Sequence, residues 1–299
     1  MSLVRQILNR GLRLFEKRQL ARARSHEKLR RSFEFKARLF FHAPRGSRVQ
    51  ADHLNGVPVE WVSGPGVARG AGPILLYFHG GGYVFGSPRT HRAMLARVSG
   101  LSGLPACLPQ YRLAPEHPFP AAVEDALSTY RAVAERPGGV ILGGDSAGGG
   151  LALALLGEIL RQGETLPKGL FAFSPLTDLS FSGASIEENA QADVMLPPGR
   201  FDEVIEMYLP QGEVQDPRAS PLLADFAGAP PVWLTVGDTE ILRDDTLRIA
   251  ERMRDQGVAV EAVLEHDLPH VWPIFQPFLP EAMATLRGLA RWINSLSER

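Results

Sequence analysis

The turn Gly144-Asp145-Ser146-Ala147-Gly148 joins the apolar run Val140-Ile141-Leu142 to the helix-like stretch Leu151-Ala152-Leu153-Ala154-Leu155-Leu156. An order of strand, sharp turn and helix constrains the chain more than any other feature, because it stands a serine in a strained conformation at the top of a sheet. The flanking glycines are required there, since a Cβ at either position would meet the neighbouring strand or helix. The turn pushes the hydroxyl into the open, and the helix N-terminus behind it favours developing negative charge. A glycine-serine turn is common in loops, so the rest of the chain has to support the reading.

Upstream, Pro73-Ile74-Leu75-Leu76-Tyr77-Phe78 has the pattern of a buried strand and ends in His79-Gly80-Gly81-Gly82-Tyr83. A glycine run in that place leaves backbone N–H groups free to point into a cleft. Gly81, Gly82 and Ala147, the residue after the serine, are the candidate donors of an oxyanion hole. A serine hydroxyl is a poor nucleophile until a base takes its proton, so a histidine and a carboxylate must follow Ser146. Two histidines do, His266 and His270. His270 falls in a loop between the strand-like Val258 to Leu264 and the terminal helix, where the base of such a fold belongs; His266, nearer the strand end, reads as a polar surface residue. The strand Val232-Trp233-Leu234-Thr235-Val236 runs into Gly237-Asp238-Thr239-Glu240, with Asp244 and Asp245 just beyond. Asp244 and Asp245 read as first-turn residues of a helix, favourable to its dipole. Asp238 and Glu240 remain, and the residues alone permit either as the acid.

From Pro73 to Pro273 the chain is similar to the hormone-sensitive-lipase-like branch of the α/β-hydrolases, the bacterial family IV carboxylesterases. The resemblance rests on His79-Gly80-Gly81-Gly82, on Tyr111-Arg112-Leu113-Ala114-Pro115-Glu116-His117-Pro118-Phe119-Pro120-Ala121-Ala122, on Gly144 to Gly149, and on Ser174-Pro175-Leu176-Thr177-Asp178-Leu179. That family places its acid in a D-P-L-R-D sequence, matched here by Glu240-Ile241-Leu242-Arg243-Asp244, with Glu in place of Asp. The resemblance therefore implies a triad of Ser146, His270 and Glu240, with Asp238 as the alternative acid. It also implies hydrolysis of short- to medium-chain acyl esters through an acyl-enzyme, and a homodimer edge formed by the closing strand and the terminal helix, Glu281 to Ser297. The fold it implies is an α/β-hydrolase fold, a mostly parallel central sheet with helices on both faces and a helical cap.

The remaining pattern fits one catalytic domain. Val49 to Leu54 and Val57 to Val62, joined at Asn55-Gly56, read as a hairpin. Strands then alternate with helical stretches, near His91 to Ser102 and Ala121 to Glu135 among others, as in a parallel sheet wrapped on both faces. Residues 181–210 interrupt the alternation. They are expected to complete a cap begun by residues 1–48, with 49–299 as the catalytic domain. Through Arg48 there are fourteen basic residues against three acidic ones, although the whole chain carries a net charge of only −1. Leu3, Ile7, Leu12, Leu14, Phe15 and Leu20 are spaced as in an amphipathic helix with a basic polar face. A membrane-surface, anionic-ligand or nucleic-acid footprint is conceivable for it; length and resemblance favour a cap, with no nucleic-acid partner and no stable membrane insertion. Phe33, Phe35, Phe40 and Phe41 are candidate walls of the cleft, or simply pack the cap on the body.

No stretch approaches about twenty apolar residues, and the start lacks the apolar core of a signal peptide, so a cytoplasmic enzyme is expected. Cys107 is the single cysteine, set among apolar neighbours, and no Cys/His cluster or Walker-type loop calls for a metal or other cofactor. Two alternatives stand against the esterase: an amidase or formamidase using the same triad, and a ligand receptor on a hydrolase scaffold, which would be expected to have lost its base or acid.

Overall fold

The runs of the chain buried at every position include β3 (Ile74–Phe78), β5 (Val140–Asp145), β6 (Gly169–Phe173) and β7 (Val232–Gly237). Strands buried on both faces need helices above and below, which parallel crossover connections supply. In the computed structural model, which describes residues 2–23 and 25–296, they form the middle of an eight-stranded sheet with β1 (Arg48–Leu54), β2 (Val57–Ser63), β4 (Ala106–Pro109) and β8 (Val260–Glu265). The order is β1-β2-β4-β3-β5-β6-β7-β8. β2 runs antiparallel to β1 and β4, and every other pair is parallel. Asn55 and Gly56 turn the β1–β2 hairpin with φ of 46° and 86°, the left-handed pair that a two-residue hairpin loop demands.

The helices, in chain order, are α1 (Leu3–Gly11), α2 (Lys17–Arg22), α3 (His26–Phe40), α4 (Pro88–Ser102), α5 (Ala121–Arg131), α6 (Ala147–Gln162), α7 (Ser185–Glu188), α8 (Phe201–Tyr208), α9 (Arg243–Asp255) and α10 (Pro280–Ser295). Alternate residues of each strand serve opposite cores. Ile74, Leu76 and Phe78 face α5, α6 and α9, while Leu75 and Tyr77 face α4 and α10. A π-helical turn, Leu12–Glu16, links α1 to α2, and the run folds back on α3 through Lys36–Glu16 at 2.5 Å and Gln19–Ser32 at 2.6 Å.

Element ends differ from expectation for local reasons. α4 begins at Pro88, before His91, because Ser87 caps it and Pro88 suits the first turn. α5 stops at Arg131 rather than Glu135, short of Pro137, which cannot continue a helix. Met1, Arg24 of the basic run and Ser297, the expected end of the terminal helix, lie outside the described residues.

Candidate active site

Ser146 follows β5 directly and precedes the first residue of α6, with φ of 52° and ψ of −125°. A non-glycine residue in that region is strained, and the backbone here is pinned on both sides: the Ser146 N–H donates to Phe173 O at 2.9 Å and its carbonyl accepts from Leu176 and Gly150 at 3.0 Å. A Cβ on Gly144 would strike the Gly148 carbonyl, and one on Gly148 would strike the Phe78 and His79 carbonyls at the end of β3. The two glycines therefore let α6 start close enough to β3 to bring the serine beside the next loop.

That loop, His79 to Tyr83, curls so that the Gly81 carbonyl accepts from both Val84 and Phe85 at 3.0 Å. Among the described residues the Gly81 and Gly82 N–H groups have no acceptor, and Ala147 supplies one of the orphan donors of α6. Gly81 has φ of 122°, and a Cβ on it would strike the Phe85 carbonyl. The loop is anchored by Asp145, which the sequence reading passed over. Its Oδ1 accepts from the Tyr77 hydroxyl at 2.7 Å and the Gly80 N–H at 3.0 Å, and its Oδ2 lies 3.2 Å from His91 Nε2. Burial pushes this carboxyl up, but His91 and Tyr77 outweigh it and hold the pKa below the usual carboxylate range. Tyr111, from the long motif after β4, donates to the His79 carbonyl at 2.6 Å and stacks on its ring at 4.4 Å. Burial, then the neighbouring His91, lowers the His79 pKa to about 3, so that this ring is neutral throughout the working range.

The two carboxylates left open by the sequence serve different histidines. His270 Nδ1 lies 2.6 Å from Glu240 Oε2, both side chains buried. Asp238 Oδ2 lies 2.7 Å from Nδ1 of the exposed His266, and its Oδ1 accepts from the Asp267 N–H at 2.8 Å. The other oxygen of Glu240 accepts from the Ser174 hydroxyl at 2.8 Å and the Gly237 N–H at 2.7 Å, so both oxygens of this buried carboxylate are hydrogen-bonded. Burial lowers the His270 pKa, but the hydrogen bond and charge of Glu240 outweigh it and leave the pKa raised above 6.5. No hydrogen bond joins Ser146 Oγ to His270 among the described residues; both face one cavity, and such contacts commonly tighten only around substrate.

The acid turn is braced by residues that sequence reasoning missed. Asn189 Nδ2 donates to the Asp238 and Glu240 carbonyls at 2.9 and 2.8 Å, and Asp193 accepts from the Ile241 N–H at 3.0 Å. The first part of 181–210 is thus fastened to the acid turn, and α8 follows it. Asp245 lies in the first turn of α9 as expected, yet it is fully buried and accepts from the Thr177 and Asp178 N–H groups at 2.6 and 2.9 Å. The N-terminal helices reach the same loops. Lys17 donates to the Ala190 and Asp193 carbonyls, each at 2.7 Å, Arg5 donates to the His266 carbonyl at 2.7 Å, and Asn9 to that of Asp267 at 3.1 Å. The only signal for these in the sequence was a polar residue recurring on an otherwise apolar helix stripe.

Residues 75–274 match a family described as the alpha/beta hydrolase fold. An acetyl-hydrolase of Streptomyces hygroscopicus is 37% identical over 255 residues, 84% of this chain and 83% of that protein. An esterase of Acinetobacter venetianus is 34% identical over 228 residues, 75% of each. Among solved structures, an esterase from the bacterial hormone-sensitive lipase family superposes with a TM-score of 0.92 at 35% identity, covering 99% of both chains. The chain belongs to the hormone-sensitive-lipase-like esterases of the α/β-hydrolase superfamily. The crystal structure of EstE5 soaked with p-nitrophenyl butyrate also superposes with a TM-score of 0.93 at 33% identity over the whole of both chains.

In this esterase Ser146, His270, Gly81 and Gly82 open into a cavity of about 630 Å³, within the roughly 300–1,000 Å³ usual for small-molecule sites. Its walls come from three parts of the chain: Leu12 and Phe33 from the N-terminal helices, Met195 and Val204 from the 181–210 segment, and Val84 and Ile274 from the body. Phe40 and Phe41 line it as well, whereas Phe35 points outward into solvent. Of the four candidate phenylalanines, Phe35 alone takes no part in the wall. Arg30 ties α3 to the body by a two-point contact with Glu116, both bonds at 2.7 Å.

Proposed function

We propose that this carboxylic ester hydrolase cleaves short- to medium-chain acyl esters with Ser146 as nucleophile, His270 as base and Glu240 as acid, the oxyanion being held by the N–H groups of Gly81, Gly82 and Ala147. The observation that carries the assignment is the 2.6 Å contact of Glu240 with His270 Nδ1, in a buried pair whose histidine lines the same cavity as Ser146. A carboxylate at Nδ1 fixes the proton there, which leaves Nε2 with a lone pair for the serine. Ser146 attacks the ester carbonyl carbon as Nε2 takes its proton, and the carbonyl oxygen becomes an oxyanion between the three backbone donors. The C–O bond to the alcohol then breaks as the imidazolium returns its proton to the leaving oxygen. Water, deprotonated by His270, repeats the sequence on the acyl-enzyme and releases the acid. The four groups come from β5, the loop after β3, the turn after β7 and the loop after β8, all at the carboxyl ends of parallel strands.

Neutral His270 is the working form, so kcat/KM is expected to fall as pH is lowered through its pKa. The hydrogen bond and charge of Glu240 outweigh burial, so the midpoint of that limb belongs above 6.5. His79, with a pKa of about 3, does not contribute to it. A pH profile of kcat/KM on a neutral ester checks this; a rate flat from acid to neutral pH contradicts the assignment of the base.

Residues 1–48 and 181–210 act in this reading as a cap, supported by their shared lining of the cavity. A cytoplasmic setting fits the one thiol, Cys107, buried and unpaired, and pairing through β8 and α10 would give the homodimer. The test is hydrolysis of p-nitrophenyl esters of increasing acyl length beside matched anilides, with sedimentation velocity on the same sample. Turnover greatest on short and medium acyl esters is expected; equal or faster cleavage of anilides would move the reading to an amidase.

A further inference from the structure

The cavity mouth is apolar on its outer side. Ile7, Phe15, Phe40 and Phe278 line the cavity and yet are 63%, 76%, 48% and 46% exposed, so they form its rim. The same apolar surface continues outward along both N-terminal helices. Leu3, Ile7 and Leu14 follow one stripe of the first helical run, and Phe35 and Leu39, four apart, follow one stripe of α3; all five are exposed. Scattered surface leucines need no explanation, but a contiguous patch around a functional opening does.

The charges on these helices divide into two sets. Arg5, Arg13, Lys17 and Arg30 turn inward and donate to main-chain carbonyls of the body. Arg10, Arg18, Arg22, Lys28, Arg31 and Arg38 are exposed, and among the described residues none of them pairs with a carboxylate. They interleave with the apolar stripe, Arg10 between Ile7 and Leu14, Arg31 four residues before Phe35. Long cationic side chains flanking an exposed apolar stripe are the arrangement that lies in the headgroup region of an anionic bilayer, rings and aliphatic chains below, guanidinium groups at the phosphates. No helix among the described residues is long and apolar enough to cross a membrane.

We propose that α1 to α3 form a docking surface for anionic phospholipid membranes, which sets the cavity mouth against the lipid. It rests on the esterase reading only for its use: an apolar ester dissolved in the bilayer would pass the rim formed by Ile7, Phe15, Phe40 and Phe278 into the cavity without crossing water. The partner is the phosphate-bearing surface itself, recognised by charge and by insertion of apolar side chains, with no single headgroup read.

Binding is measured directly, by flotation of the full chain with vesicles of phosphatidylcholine alone and of equimolar phosphatidylcholine and phosphatidylglycerol. Wild type and Ser146→Ala are expected to float equally with the anionic vesicles, weakly with the neutral ones, and less as salt is added. Arg10→Glu and Arg31→Glu should each weaken partition at least about five-fold, since one basic residue near such a surface contributes roughly that factor. Leu14→Ser with Phe35→Ser, neither of which lines the cavity, should abolish flotation while leaving hydrolysis of a water-soluble p-nitrophenyl ester unchanged. No flotation with anionic vesicles at low salt, or equal flotation with neutral ones, overturns the proposal. So does a dimer in sedimentation velocity that Leu14→Ser with Phe35→Ser dissolves, which would show that a second copy covers the patch. Vesicle binding is read without turnover, so it stands or falls separately from the triad.

Discussion

Ser146→Ala is expected to lower kcat on a p-nitrophenyl ester about 10⁶-fold, the loss usual when the nucleophile of a serine hydrolase is removed. The oxyanion donors and the cavity remain, so the residual rate should still exceed that of water by about 10³–10⁴-fold. The backbone at this position gives the variant a useful companion. With φ at 52° and ψ at −125°, any residue with a Cβ is held against its preference at a cost of about 1–3 kcal/mol. Ser146→Gly should therefore be equally inactive yet more stable than Ser146→Ala by about 1 kcal/mol in denaturant unfolding. Residual activity within tenfold of wild type in either variant would remove Ser146 from the mechanism.

Glu240→Gln is expected to cost about 10⁴-fold in kcat, with the fold retained. The amide has the shape of the acid, but its two ends differ. One oxygen of Glu240 now accepts from Ser174 Oγ and the Gly237 N–H, and a glutamine keeps both bonds only by placing its carbonyl there. Its NH₂ then faces His270 Nδ1, a second donor where a donor already stands, and the imidazole must move its proton to Nε2. That tautomer cannot take the serine's proton. The acid limb of any residual rate should also move to lower pH, because the charge that raises the His270 pKa is gone. Asp238→Asn should change kcat less than about threefold, since its partner is the exposed His266, which does not line the cavity and whose surface contact contributes little. If Asp238→Asn were the crippled variant, the acid would be reassigned.

What the sequence makes legible is the local part of the site. The strand-turn-helix around Ser146, the glycine loop at His79 and the Asn55-Gly56 hairpin are each specified within about ten residues, by glycines that only one backbone path requires. The choice of acid was not local. Asp238 with His266 and Glu240 with His270 are two acid–imidazole pairs of the same chemistry, each joined across 28 and 30 positions. Nothing in composition or spacing separates them, and only the family resemblance favoured Glu240. The supports were less legible still. Asp145 reads as a spacer between glycines, although it gathers Tyr77, Gly80 and His91 from as far as 68 positions away. Asn189 and Asp193 look like ordinary polar residues of a cap segment, and their partners at the acid turn are 51 and 48 positions on. Side chains that serve another element's backbone leave no periodic trace.

The loop that carries His270 is also held from far upstream: Arg5 and Asn9 close on the His266 and Asp267 carbonyls across 261 and 258 positions. Contacts of such separation are the slowest to form, because the intervening chain must first be ordered. During synthesis on the ribosome, residues 5 and 9 are made among the first, and their acceptors only after Ser146, the glycine loop and the acid turn have emerged. A nascent or interrupted chain therefore carries Ser146 before His270 exists, and under the proposed mechanism its serine has no base until residue 270 has been made.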